Sequence, residues 1–381
     1  MTKRQDLFQE LSLTPVVNAF ETVTAYGGSL MPQEVLSAMV EISGHFVDIR
    51  ELNRRVGEKV AGLTENEAAV LVGGCAAGLA LAVAAAITGP DPQAVGSFSP
   101  EAAAGCEVVV FRGHRNPYDR AVTLPGPKLV EFGYPTHQAR AEQLERAITE
   151  NTVAVVYFAG GIFERYALTI QETVRVAHSR GVPVVVDGAA QVPPKANLWR
   201  YTVAGADLAL FSVGKGIRGP QEAGLVLGKS DLVQAVELHS SPNHAFGRPM
   251  KLSKESIAGT LRAVELLMER DEDAEYERMT RLAKQFMEDL AESERVETKL
   301  LATGRHGQRY PRVAVRVKGP HKTSRDMHMA WLADGNPPII VGPSDDDPEA
   351  FCVNFFALTE NDSHTVARRV IALSEEMKKD A

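Results

Sequence analysis

The feature that most constrains the fold is an alternation of short apolar runs with small-residue helical segments between about residues 60 and 230. The runs are continuous and rich in Val and Leu rather than alternating with polar residues, which is typical of strands buried on both faces. They lie at residues 68–72, 107–111, 128–132, 153–158, 182–186, 208–211 and 224–227. The pattern predicts an α/β fold with a mostly parallel seven-stranded sheet covered by helices.

The helix before the run at 182–186 has clear end signals. Thr169 is a predicted N-cap with Glu172 three residues later, which is a capping-box arrangement, and Gly181 and Pro183 stop the helix.

The character of the chain changes at about residue 253. Residues 257–284 predict one long amphipathic helix that connects two domains. Strand candidates follow at 313–317, 339–341 and 352–355, with a helix at 362–378 and an acidic tract at 344–349 that we expect to be a solvated loop. We therefore expect a large domain over residues 1–252 and a smaller α+β domain over residues 253–381.

Composition and charge exclude several classes of protein. The chain has 44% hydrophobic and 24% charged residues and a net charge of -8, which suits a globular protein and gives no electrostatic footprint for nucleic acid. The longest apolar run, 76–87, is too short to span a membrane, and the first ten residues lack the apolar core of a signal peptide. Three widely spaced cysteines match neither a disulfide framework nor a metal site, so we expect a cytoplasmic protein without a bound metal.

Two charged residues follow neighbouring runs at the point where each predicted strand ends. Asp187 comes directly after one strand, and Lys215 comes shortly after the next, between Gly214 and Gly216. Open α/β sheets bind ligands at the carboxyl ends of their strands, and a carboxylate or amine there is costly without a partner. Pyridoxal 5'-phosphate supplies both partners, since its protonated ring nitrogen can pair with Asp187 and its aldehyde can form a Schiff base with Lys215.

With these residues the chain resembles the fold-type I pyridoxal-phosphate enzymes, and among them the group of D-glucosaminate-6-phosphate ammonia-lyase and selenocysteine synthase. The resemblance is carried by segments 22–39, 45–89, 184–194 and 212–228, and the last, SVGKGIRGPQEAGLVLG, is the most specific. It implies the fold-type I PLP-dependent transferase fold, a small amino-acid substrate, and a homodimer or higher homo-oligomer whose sites form at a subunit interface.

The resemblance implies a phosphate cradle. Gly74, Cys75 and Ala76 begin a helix whose first amides would donate to the cofactor phosphate, and the Ser212 hydroxyl would contact the same group. The family commonly has Ser or Thr at position 75, so the thiol replaces a hydroxyl with a weak donor.

The resemblance also implies partners for the cofactor ring. Ala189 would pack on one face, His114 would stack on the other, and Gln191 would hydrogen-bond the phenolic oxygen. For His114 the alternative is a structural histidine that caps a strand end.

Lys215 is the expected general base once substrate displaces it. The lyase interpretation is α-proton abstraction and β-elimination from a hydroxylated amino acid, a D- or sugar-derived one included, to give a 2-keto acid and ammonia. Aldolase, racemase and decarboxylase chemistry stay open. A selenocysteine synthase-like β-replacement is disfavoured, because those enzymes carry an N-terminal tRNA-binding domain and only about 15 residues precede Pro15 here.

Arginines are the expected clamps for the substrate carboxylate, because the guanidinium fork matches two oxygens. Each candidate also has a salt-bridge or solvent-exposed alternative; the candidates are Arg54, Arg55, Arg218 and Arg312. A purely binding role is disfavoured because Lys215 and Asp187 are both present.

Overall fold

A computed structural model describes residues 7–318 and 324–379, and for residues 378 and 379 it describes the backbone alone. It divides into two compact units. The large unit holds Gly27–Arg270 and His306–Gln308, and the small unit holds the described residues of Met1–Tyr26, Asp271–Arg305 and Arg309–Ala381.

The strands in chain order are β1 (Val17–Asn18), β2 (Ala68–Val72), β3 (Glu107–Phe111), β4 (Lys128–Phe132), β5 (Thr152–Phe158), β6 (Val184–Asp187), β7 (Leu208–Ser212), β8 (Gly224–Gly228), β9 (Val296–Leu301), β10 (Arg312–Val317), β11 (Ile339–Ile340), β12 (Gly342–Pro343) and β13 (Phe351–Asn354). The α-helices are α1 (Leu7–Glu10), α2 (Gln33–Ser43), α3 (Ile49–Leu63), α4 (Cys75–Thr88), α5 (Pro92–Ser97), α6 (Asp119–Thr123), α7 (Ala141–Ala147), α8 (Ile170–Ser179), α9 (Asn197–Val203), α10 (Ser230–His239), α11 (Lys254–Glu269), α12 (Glu272–Leu290), α13 (Arg325–Ala333) and α14 (Glu360–Lys379).

The large unit is built on a seven-stranded sheet with the strand order β2-β8-β7-β6-β5-β3-β4. Strands β3 to β7 pair in parallel, and β8 runs antiparallel to both of its neighbours. All seven predicted runs are strands of this sheet, so the predicted α/β fold class is confirmed. The order places β6 beside β7, which brings the two predicted charged residues to one edge of the sheet.

The predicted end signals of the helix before β6 are confirmed. The Thr169 side chain accepts a hydrogen bond from the Glu172 N–H at 3.2 Å, and the Glu172 carboxylate accepts one from the Thr169 N–H at 3.1 Å. This reciprocal cap fixes where α8 begins.

Helix α3 covers the free edge of β2, which begins the strand order. The Asn53 amide donates to the Leu71 carbonyl at 2.9 Å, and its oxygen accepts from the Leu71 N–H at 3.1 Å. Gly57 lets the helix approach, because a Cβ there would overlap the Ala69 carbonyl oxygen. The buried Asn53 side chain thus satisfies the backbone N–H and C=O of Leu71 that a neighbouring strand would otherwise pair.

The small unit contains the four-stranded antiparallel sheet β12-β13-β10-β9, and β1 pairs in parallel with β11. One face of the four-stranded sheet is apolar and packs in a core with α12 and α14, through side chains that include Val313, Val315, Phe351 and Val353. On the acidic tract, Asp347 pairs with Arg316 at 2.7 Å and Asp345 pairs with Arg305 at 2.9 Å. The tract is therefore tied to arginines of its own unit rather than only solvated.

The stretch predicted as one helix is two helices. Helix α11 ends at Glu269, and Asp271 then caps α12 by accepting hydrogen bonds from the N–H groups of Asp273 and Ala274. The apolar face of α11 belongs to the core of the large unit, through residues that include Ile257, Val264 and Leu267.

The compact units divide at Arg270 and Asp271, whereas the sequence predicts the boundary at residue 252, because α11 stays with the large unit. The described N-terminal residues to Tyr26 join the small unit, since the Val17 and Ala19 N–H groups donate to the carbonyls of Pro338 and Ile340. Among the described residues, no helix combines the length and apolarity that a membrane crossing requires.

We predict that Asn53→Ala lowers the free energy of unfolding by about 2 kcal/mol, because it leaves a buried N–H and C=O of β2 without partners. Chemical denaturation monitored by circular dichroism measures the change. The matched control is Arg55→Ala on the same helix, whose side chain is 66% exposed, and its effect should stay within about 0.5 kcal/mol. Equal effects of the two variants would contradict the role given to Asn53.

Candidate active site

The site is built on the carboxyl ends of β6 and β7 in the large unit. Asp187 is the last residue of β6, and in the sheet register it lies opposite Leu210 of β7. Lys215 follows the end of β7 at Ser212 by three residues. The two residues therefore lie at the edge where parallel sheets bind ligands, as the sequence predicts.

The Asp187 carboxylate is short of partners. Its Oδ1 accepts a hydrogen bond from the Ala189 N–H at 2.9 Å, and the Cys75 Sγ lies 4.0 Å from the same oxygen. Burial raises the pKa of Asp187, while the Ala189 N–H and the positive charge of Lys215 oppose this rise. Among the described residues no cation lies within ion-pair distance, so this edge of the sheet calls for a cationic ligand group.

The loop that carries Lys215 is held tightly on both sides. The Gly214 carbonyl accepts hydrogen bonds from the N–H and the hydroxyl of Ser29, at 2.9 and 3.0 Å. A Cβ at Gly216 would overlap the Val192 carbonyl oxygen, so only glycine permits this approach. The Lys215 amine forms no hydrogen bond or ion pair with the described residues, and the rigid loop therefore presents an uncommitted amine.

The start of α4 offers backbone donors. Gly74 precedes the helix with a φ of +99°, a conformation that favours glycine, and Gly224 packs directly on it: a Cβ at Gly224 would lie 2.7 Å from the Cys75 nitrogen. The first N–H groups of a helix have no acceptor within the helix and lie at its positive end. The amides of Cys75 and Ala76 can therefore hold a phosphate, which agrees with the predicted cradle.

Gln191 is buried beside the same edge of the sheet. The side-chain Nε2 of Gln191 donates to the backbone carbonyl of His306 at 3.2 Å. The backbone carbonyl of Gln191 accepts a hydrogen bond from the Asn197 side-chain amide at 2.6 Å. A Cβ at Gly160 would overlap the Gln191 amide, so glycine at that position makes room for the side chain. Ala189 is half-buried, and its carbonyl accepts from the Ser212 N–H at 3.3 Å.

His114 lies in an aromatic environment. The ring is 1% exposed and meets the rings of Tyr157 and Phe111 edge-on, at centroid distances of 4.8 and 5.3 Å. Its Nδ1 accepts from the Phe158 N–H at 3.4 Å, and burial lowers the pKa of His114 to about 4. This packing favours the alternative of a neutral structural histidine at a strand end, and stacking on a cofactor stays a prediction.

Three of the candidate arginines lie in the large unit, at two places in the fold. Arg218 lies in the turn after Lys215, and its N–H donates to the Lys215 carbonyl at 3.0 Å. Arg54 lies on α3, where it pairs with Glu51 at 2.7 Å and with Glu58 at 2.5 Å. Arg55 pairs with Glu51 at 2.8 Å on the same exposed face. Arg218 is thus the one of these three that the fold brings to the Lys215 loop.

Arg312 belongs to the small unit, at the start of β10. Its Nε donates to the Thr303 carbonyl at 3.0 Å, and its Nη1 lies 3.7 Å from the Asp345 carboxylate. These contacts agree with the salt-bridge alternative, and a substrate role for Arg312 stays a prediction.

Several supporting residues were missed by sequence reasoning. Ser29, Gly160 and His306 carry no motif, and their partners lie 185, 31 and 115 residues away along the chain. A glycine or a lone serine gives no local signal of such a contact. Among the described residues, no group of three or more His, Cys, Asp or Glu side chains is arranged to hold a metal ion.

A sequence model of the aminotransferase class-V family matches residues 114–330, which is more than half of the chain. The chain belongs to this family. A 5'-C-glycyluridine monooxygenase-decarboxylase of Streptomyces is 33% identical over 287 residues, covering 72% of this chain and 70% of the relative. D-glucosaminate-6-phosphate ammonia lyase of Salmonella typhimurium is 32% identical over 265 residues, covering 68% and 69%. A solved structure of D-glucosaminate-6-phosphate ammonia-lyase has a TM-score of 0.84 and 27% identity, covering 99% of this chain and 100% of that one.

The class-V match and these relatives make the chain a pyridoxal-phosphate-dependent enzyme, and the similarity to the ammonia lyase indicates a lyase. Among the described residues, the site of this class-V chain fits the cofactor on three independent points: a half-buried carboxylate with no cation at ion-pair distance, an amine without a hydrogen bond or ion pair, and a helix start whose N-cap makes no side-chain hydrogen bond. Asp187 would hold the ring nitrogen, Lys215 would bond the aldehyde, and Cys75 and Ala76 would hold the phosphate. When bound, pyridoxal phosphate supplies an electron sink for bonds at the substrate α-carbon.

We predict that Asp187→Ala raises the dissociation constant for pyridoxal phosphate by at least about tenfold, because the ring nitrogen loses its buried counter-charge. Asp187→Glu should lose much less, since it keeps a carboxylate. Titration of cofactor-free protein, followed by its visible absorbance band, measures both. Asp231→Ala, which removes an exposed carboxylate in the first turn of α10, should bind like the parent. Equal affinities of the Ala and Glu variants would reject the role of Asp187.

Proposed function

We propose that this enzyme is an ammonia-lyase that converts a hydroxylated α-amino acid, a D- or sugar-derived one included, into a 2-keto acid and ammonia. The observation that carries the proposal is the full-length structural similarity to D-glucosaminate-6-phosphate ammonia-lyase. The cofactor is pyridoxal phosphate, and the substrate is a small molecule rather than a nucleic acid or a membrane lipid.

Lys215 does the proton chemistry in this proposal. Its amine, released when the substrate amine replaces it, takes the proton from the substrate α-carbon. The C–H electron pair then expels the hydroxyl on the β-carbon, which leaves as water after protonation. The enamine that remains takes a proton on its β-carbon and becomes an imine. Water then adds at the α-carbon and ammonia leaves, so the amino acid yields a 2-keto acid and ammonia with no redox partner.

The remaining residues hold the reacting groups. Asp187 keeps a proton on the ring nitrogen, and the first amides of α4 hold the phosphate. Arg218 is the candidate for the substrate carboxylate, because its backbone is bonded to the Lys215 carbonyl and its side chain is half-buried. The positive φ of Arg218, 64°, shows that the turn holds an unusual backbone conformation for a residue with a side chain.

A second function is favoured by one comparison. The relative named as a monooxygenase-decarboxylase is as similar in sequence as the ammonia lyase, at 33% against 32% identity. Loss of the α-carboxylate instead of the α-proton needs only a different substrate orientation over the same cofactor. Carbon dioxide rather than ammonia would then be the signature product.

We also infer that the protein is cytoplasmic and forms a homodimer or a higher homo-oligomer. Its cysteines are unpaired, which suits a reducing compartment. Near α2, Leu30 is 83% exposed, Val40 is 72% exposed and Phe46 is fully exposed. Exposed apolar side chains that cluster in this way are typical of subunit interfaces.

We predict that a panel of D- and L-β-hydroxy amino acids, sugar-derived acids included, contains a substrate that releases ammonia and 2-keto acid in equal amounts. Lys215→Ala should lose the activity by about a thousandfold or more, because the proton acceptor is gone. Ammonia, keto acid and carbon dioxide are assayed together. Carbon dioxide without ammonia would replace the proposal by the decarboxylase, and an unchanged rate in Lys215→Ala would overturn both.

We predict that the double variant Val40→Asp, Phe46→Asp moves the protein to a smaller oligomer, because buried charges oppose association. Size-exclusion chromatography with light scattering measures the mass. The control Tyr118→Asp, at an exposed position away from α2, should keep the parent mass. An unchanged mass of the double variant would place the interface elsewhere.

A further inference from the structure

The side chain of Cys75 is the feature that the cofactor cradle does not explain. Cys75 is the first residue of α4, and its side chain is buried at 8% exposure. Its backbone amide faces the predicted phosphate position, so the sequence suggests that the thiol acts there as well. The structure instead shows the Sγ 4.0 Å from the Asp187 Oδ1, at the outer limit of a sulfur hydrogen bond.

The thiol is a donor in this contact. Burial and the neighbouring Asp187 charge raise the pKa of Cys75 well above its usual range, and Lys215 only partly offsets them. Cys75 therefore stays protonated at neutral pH and can offer its S–H, whereas a thiolate would repel the carboxylate.

The contact restrains one oxygen of the carboxylate. Oδ1 of Asp187 has the Ala189 N–H on one side and the Cys75 thiol on the other. Among the described residues, none donates a hydrogen bond to Oδ2. Two donors on one oxygen fix the orientation of the group and leave the second oxygen for a ligand.

We propose that Cys75 is a positioning residue for the cofactor, whose thiol donates to Asp187 Oδ1 and holds the carboxylate in place for the ring nitrogen. The proposal concerns cofactor binding and does not depend on which bond of the substrate is broken. It differs from the predicted role of Cys75, in which the backbone amide holds the phosphate.

A packing role for Cys75 makes the opposite prediction for two substitutions. If the thiol only fills space among apolar neighbours, Cys75→Ala is mild and Cys75→Ser is worse, because serine buries an unpaired hydroxyl. If the thiol donates to Asp187, Cys75→Ser keeps the donor and improves it, and Cys75→Ala removes it.

The experiment titrates the cofactor-free forms of the parent, Cys75→Ser, Cys75→Ala and the control Cys106→Ala with pyridoxal phosphate. We expect Cys75→Ala to bind about threefold to tenfold more weakly, which corresponds to one lost hydrogen bond. Cys75→Ser should match or exceed the parent. Cys106 is half-buried and outside the site, so its variant should bind like the parent.

The pH dependence of the visible band of the bound cofactor is the second readout. The titratable groups coupled to Asp187 are Cys75 from α4, whose pKa the Asp187 charge raises, and Lys215 from the loop after β7, whose charge lowers the pKa of Asp187. A donor to the ionised carboxylate lowers the pKa of Asp187, so loss of the thiol raises it. The acid limit of the band should therefore move to higher pH in Cys75→Ala and return in Cys75→Ser.

Three results would overturn the proposal. The first is that Cys75→Ala and the parent have the same cofactor affinity and the same acid limit of the band, and the second is that Cys75→Ser binds the cofactor more weakly than Cys75→Ala. The third is that the changes in affinity across the variants are explained by changes in their melting temperatures. If Cys75→Ala does not fold, the contact is tested instead by infrared spectroscopy of the Cys75 S–H group. The S–H band of Cys75 is obtained as the difference between the spectra of the parent and Cys75→Ser. This band should shift when Asp187 is changed to Asn, and a band that does not shift would contradict the contact.

Discussion

The structure of the site depends on one desolvated carboxylate. Asp187 lies at the carboxyl end of β6, its burial raises its pKa, and the described residues provide no cation within ion-pair distance. An uncompensated buried charge costs about several kcal/mol, so a cationic ligand group bound at this position stabilises the folded chain. The protonated ring nitrogen of pyridoxal phosphate is that compensation, so the same interaction binds the cofactor and strengthens it as an electron sink.

The backbone around Lys215, which follows β7, also prepares the site for the cofactor. Glycines at 214 and 216 allow close backbone approach, and Ser29 fixes the Gly214 carbonyl with two hydrogen bonds. A fixed loop holds the backbone of Lys215 in one place, which reduces the entropy lost when the amine reacts. The glycine pair is therefore a condition for the chemistry of the lysine between them.

Sequence reasoning predicted the seven-stranded sheet because strands buried on both faces read as continuous apolar runs, as in residues 107–111 and 128–132. It also located Asp187 and Lys215, since charged residues after buried strands are conspicuous. It did not find the hydrogen bonds of Ser29 to the Gly214 carbonyl, because these residues lie far apart in the chain. It also did not find the hydrogen bonds of Asn53 to β2, because they depend on α3 packing along the edge of the sheet.

The arginines show the same limit. Arg312 pairs with Asp345, and this contact can be assigned only when the fold is known, whereas the pair of Arg54 with Glu51 follows from their i,i+3 spacing on one helix. A substrate role for either arginine stays a prediction. The break at Asp271 was missed because the amphipathic pattern continues through it, although the capping aspartate is a local signal that could have shown it.

The central claim is that pyridoxal phosphate is carried on Lys215 at this edge of the sheet. The most direct measurement is reduction of the cofactor-loaded protein with borohydride, proteolysis and mass spectrometry of the peptides. We expect one phosphopyridoxyl group on the peptide that contains Lys215. A label on another lysine, such as Lys195 or Lys229, or no label on any peptide, would contradict it.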